Sequence, residues 1–162
     1  MDPIRSSLGA GVIATAVLTV YLYAADALFR TANLFVFATF TSLCAISGTI
    51  YCSPQSPMGA ALPYLSFAVL FVIIWPLVFG VFTWGFPGES GLVHGAFFGF
   101  ALWVGYAAIV FLRIQWEGET FSGNLLMLLV TVVAYLLYGL VLGEGYDYLA
   151  GHRRSSTERL AG

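Results

Sequence analysis

His94 is the one histidine of this 162-residue chain that falls inside a long apolar stretch; His152 belongs to a polar tail. A neutral imidazole in a hydrocarbon setting can ligate haem iron, contact a quinone or relay a proton. A bis-histidine haem needs a second imidazole at membrane depth, and His152 does not supply one. Met58 or Met127 would have to complete the pair, and neither stands in a haem-binding motif. His94 therefore reads first as a hydrogen-bonded structural residue, one turn into its span and near the interface. It is also the chain's one candidate for a haem or quinone contact.

The remaining polar groups suggest little chemistry. Asp26 and Arg30 are four residues apart, so on a helix they face each other one turn along and form a structural ion pair near the headgroups. A proton or ion path through Asp26 would need further acids at other depths. Glu89, Glu117, Glu119, Glu144 and Asp147 instead read as helix ends and loops. Cys44 and Cys52 are either small buried hydrophobes or a disulfide pair, and spacing does not decide between them. No HExxH, phosphate-binding loop, nucleophile elbow or Cys/His cluster is present. The expectation is no catalytic residue, no metal site and no intrinsic cofactor. With a net charge of −2 there is no basic surface for nucleic acid.

What must position these residues is membrane helix. The run Phe121 to Gly143 contains no charged side chain, charged residues are 9% of the chain and apolar ones 60%. A span needs about 20 such residues at about 1.5 Å each. The expected fold is an all-α membrane protein, a four-transmembrane-helix bundle in a single domain over residues 1–150, with a polar tail from 151 to 162. The spans are about Leu8 to Phe29, Ala60 to Thr83, Gly91 to Leu112 and Phe121 to Leu142. The first is too long for a signal peptide core and lacks a clean cleavage site, so it reads as a retained helix. Pro63 suits the first turn of the second span, while Pro76 should bend it and free a carbonyl for a neighbouring helix to satisfy. Asn33 to Tyr51 is apolar but mixed with Thr39, Thr41, Ser42, Ser47 and Gly48, and reads as an extra interfacial or re-entrant helix between the first and second spans.

Four spans put Arg5, Arg153, Arg154 and Arg159 on one side and Arg30 and Arg113 on the other. The positive-inside rule then places both termini of a multi-pass cell-membrane protein in the cytoplasm. Five spans would give the same excess with only the C-terminus inside.

Glycines recur every four residues at Gly91, Gly95 and Gly99 on the third span and at Gly139 and Gly143 on the fourth. Such stripes let helix backbones approach where hydrophobicity supplies no drive between helices. The loop RIQWEGET is short, so these two spans are expected to be antiparallel neighbours packed through the stripes.

Three passages together, GAGVIATAVLTVYLYAAD, FVIIWPLVFG and the pair HGAFFGFALWVGYAAI with AYLLYGLVLGEGYDYL, resemble the small four-helix membrane proteins of haloarchaea and related archaea. That family has no assigned activity and supplies no catalytic residues. Some of its members are encoded beside haem-copper terminal oxidases, which implies an accessory role. The first expectation is thus a non-catalytic accessory or structural subunit of a larger membrane complex, a respiratory terminal oxidase by this resemblance. Its partners would be other integral membrane subunits and lipids, some of them structural. The alternatives are a small haem- or quinone-binding module using His94 and, last, a small oligomeric transporter or channel.

Overall fold

The computed structural model describes residues 3–29, 64–83, 90–117 and 125–151. They form α1 (Pro3–Phe29), α2 (Tyr64–Phe82), α3 (Gly91–Glu117) and α4 (Leu125–Ala150). Each contains a stretch long and apolar enough to cross a membrane, the shortest being the 19 residues of α2 and of Gly91–Ile109. At 1.5 Å per residue these extend about 28 Å, close to the hydrocarbon thickness of a bilayer. The described residues are all helical, and their four apolar helices make this a multi-pass membrane protein.

α4 is the central element. α1 and α3 both run along it, and α2 packs on α1 while reaching α4 through aromatic rings. The core takes Ala10, Ala14, Leu18 and Leu22 from α1, Phe71 and Phe79 from α2, Phe98 and Tyr106 from α3, and Ala134, Tyr138 and Leu142 from α4. Ala10 of α1 meets Gly145 of α4, where an added Cβ would lie 3.2 Å from the Ala10 Cβ, so small residues let these two helices approach closely. The outward faces are equally apolar, with Val20, Leu28, Leu65, Val81 and Leu112 all exposed, as hydrocarbon solvent requires.

Three boundaries differ from the sequence expectation. α1 begins at Pro3 rather than near Leu8. α3 continues beyond Leu112 to Glu117, so the first part of RIQWEGET is helical. α4 runs on from Leu142 to Ala150, which carries Glu144 and Asp147 within the helix rather than at its end or in a loop after it. The reason is tertiary: Asp147 accepts a hydrogen bond from α3, and the helix stops at Gly151, whose φ of 78° is the left-handed conformation glycine adopts without strain. The expected interfacial helix at 33–51 lies outside the described residues, as do Cys44, Cys52 and Pro63.

Candidate functional site

α3 and α4 meet backbone to backbone. Gly91 faces Gly143, Gly95 faces Gly139 and Gly99 faces Tyr135, in one antiparallel register. An ideal Cβ on Gly139 would lie 2.8 Å from both Cα and N of Gly99 and would collide with the Gly95 carbonyl oxygen. One on Gly143 would lie 2.9 Å from the Gly95 Cα and collide with the Gly91 carbonyl oxygen. The hydrogen that stands in place of each Cβ therefore points at a facing carbonyl, the geometry of a weak Cα–H···O contact. One turn further on, the register is held by side chains: Trp103 Nε1 donates to Thr131 Oγ1 at 3.3 Å, and the Thr131 hydroxyl donates to the Leu128 carbonyl at 3.0 Å.

α2 is interrupted at mid-span. Val69–Ile74 forms a π-helical segment, and the Trp75 N–H bonds to the Leu70 carbonyl five residues back. Pro76 explains it. In an α turn its ring would collide with the carbonyl four residues earlier, and it has no N–H to donate. Widening the turn relieves the collision. The next carbonyl in the five-residue register, that of Phe71, still has no backbone donor because its donor would be Pro76. The Tyr138 hydroxyl of α4 donates to that carbonyl at 2.7 Å. The Tyr138 ring also meets the Phe71 ring edge-on with centroids 5.1 Å apart. On the other side, Gly11 of α1 makes the room: a Cβ there would run into the Pro76 ring and approach the Val72 carbonyl oxygen to 3.0 Å. The expected freed carbonyl is thus satisfied from a helix more than sixty residues away in sequence.

Polar groups gather where α1 begins, α3 begins and α4 ends. The Gly91 N–H donates to Asp147 Oδ2 at 2.6 Å, so α4 supplies a carboxylate to the N-terminus of α3, where the helix dipole favours negative charge. The Ser90 carbonyl accepts from the Val93 and His94 N–H groups at 3.0 and 3.1 Å. His94 is half-buried on this first turn, and its side chain is engaged. Ser6 and Ser7 are buried with neither hydroxyl hydrogen-bonded. Ser7 lies against Gly80 of α2, in a junction that the edge of the Tyr146 ring also reaches. Glu144 is half-buried one turn before Tyr148.

The model of a family described as of unknown function, DUF6789, matches residues 1–157. The chain belongs to that family. No curated protein and no solved structure matches it. The DUF6789 match spans α1 to α4, so the seam, the interrupted helix and the polar end all fall within it.

Of the residues singled out in the sequence, Gly91, Gly95, Gly99, Gly139 and Gly143 come together in one seam. Asp26 is half-buried near the end of α1, with an interaction of its own, and its expected partner Arg30 lies outside the described residues. Among the described residues no group of three or more His, Cys, Asp or Glu is placed to hold a metal. Sequence reading missed Tyr138 as the donor to α2, Asp147 as the cap of α3, and the buried Ser6 and Ser7. Pro76 signalled that some donor was needed. No local signal named the tyrosine.

Proposed function

We propose that this chain is a non-catalytic subunit of a larger integral membrane complex, and that α3 is the helix by which it docks. The observation that carries this reading is the exposed apolar face of α3. One side of the helix is consumed by the glycine seam. The other presents Phe97 and Phe100, each about half exposed, and an open position at Gly105, where an added Cβ would meet nothing within 4 Å. Ala101 and Ala108 are exposed beside it. Bulky rings next to small residues suit the close packing that drives helix association in lipid. The sequence resemblance points to a haem-copper terminal oxidase as the complex. The excess of arginine at the two termini puts the end of the bundle with Arg5 and Asp147 in the cytoplasm.

The test is purification of the full chain from its native membranes in mild detergent. The expected result is migration above its own mass with haem-containing subunits, and release of the chain by Gly105→Leu, which adds bulk to that face but leaves the glycine seam untouched. Recovery of the chain alone at its own mass refutes the reading. A Soret band on the isolated chain that His94→Ala removes would favour the haem-module alternative.

A further inference from the structure

A groove of about 430 Å³ opens on the outer side of α4, between α1 and α3. Ile13, Leu92, Leu140 and Val141 line it, and Glu144 and Tyr148 stand toward its outer end. Along α4 the order is apolar, then carboxylate, then an exposed tyrosine toward the helix end. Leu140 to Tyr148 covers about 12 Å of axis at 1.5 Å per residue. Its lining is apolar up to Glu144, which suits an acyl chain, and the carboxylate lies where a headgroup would begin. Glu144 is the one acidic or basic residue among those lining the groove. A carboxylate has about four lone-pair sites, so it can accept from a further donor besides the interaction it already makes.

We infer that this groove is a lipid site selective for a headgroup bearing a primary ammonium, with one acyl chain lying along Ile13, Leu92 and Leu140 and the ammonium at Glu144. Selectivity follows from sign. A carboxylate at the level where hydrocarbon meets headgroup attracts a cationic donor and repels a lipid whose only charge is phosphate. The site is separate from the exposed face of α3 around Gly105 and does not depend on docking to other subunits.

The test uses the full chain in bilayers with nitroxide-labelled phosphatidylethanolamine or phosphatidylglycerol of identical chains, reading the motionally restricted fraction by electron spin resonance. The expected result is about a two- to fivefold preference for the ethanolamine label, the scale of a partly exposed ion pair. Glu144→Gln should bring the ratio to about one without reducing total restricted lipid. Ile13→Trp, at a half-exposed position on the rim, should reduce restriction of both labels. Circular dichroism verifies that each variant keeps its helices. Equal affinity for the two labels in the unaltered chain, or a preference that survives Glu144→Gln, overturns the inference. So does a disulfide dimer through Tyr148→Cys in a Cys44→Ser, Cys52→Ser background, which would mean that a second copy covers the groove.

Discussion

Replacing Gly139 with alanine should separate the α3–α4 seam, and the cost can be bounded from the geometry. The new methyl would sit 2.8 Å from the Gly99 Cα and N, where ordinary Cβ contacts begin at 3.4 Å, so the helices must part by at least 0.6 Å at that point. The opposing atoms are backbone, which has no rotamer to yield. Overpacking of this kind costs about 1–3 kcal/mol. Alanine also favours helix over glycine by about 0.8–1 kcal/mol. Gly105→Ala isolates that second effect, because its methyl enters open space on the same bundle. The expected outcome is Gly105→Ala at or slightly above the unaltered stability and Gly139→Ala below it, a gap of about 1–3 kcal/mol between the two variants. Gly95→Ala on the facing helix should resemble Gly139→Ala. The double variant should cost less than the sum, since the first methyl has already parted the helices. Reversible unfolding in mixed micelles, followed by circular dichroism, measures all four. If Gly139→Ala is as stable as Gly105→Ala, the backbone contact does not hold the seam and the reasoning fails.

Three further outcomes follow from individual contacts. Tyr138→Phe should destabilise by about 1–3 kcal/mol because it strands the buried Phe71 carbonyl. That penalty should shrink in a Pro76→Ala background, where residue 76 regains an N–H, and a double-mutant cycle measures the difference. Asp147→Ala should cost about 0.5–2 kcal/mol through loss of the carboxylate at the start of α3, with faster amide exchange at Gly91 as the local readout. Ser7→Ala should be neutral or stabilising by up to about 1 kcal/mol, since it removes a buried hydroxyl that has no partner. The unfolding assay used for the glycine variants decides that one as well.

The spans are legible in the sequence because a bilayer demands about twenty apolar residues in a row and tolerates few charges. The stripe at Gly91, Gly95 and Gly99 is legible for a similar reason: a spacing of four keeps residues on one helical face. Helix ends are harder. Glu144 and Asp147 look like the start of a polar loop, yet the helix continues because Asp147 bonds to another helix and Gly151 provides the stop. A polar residue that caps a neighbour is locally indistinguishable from one in a turn. The partner of the Phe71 carbonyl was hidden in the same way, since it depends on where α2 crosses α4. His94 stood out by residue type, and its place one turn into the third span was legible too. The backbone bonds to Ser90 beside it, and the other helix ends gathered there, were not.

The widened turn of α2 also affects everything downstream of it. Relative to an uninterrupted α-helix, one such turn accommodates about one extra residue, which rotates the rest of the helix by about 100° around its axis. Phe79 and Gly80 reach the Phe98 ring and Ser7 from that rotated position. Deleting one residue within Val69–Ile74 would convert the widened turn to an ordinary one and leave Phe79 facing the core, whereas deleting Leu77 below it would swing Phe79 out toward the acyl chains. The azimuth of this helix is therefore encoded by a count of residues as much as by their kinds.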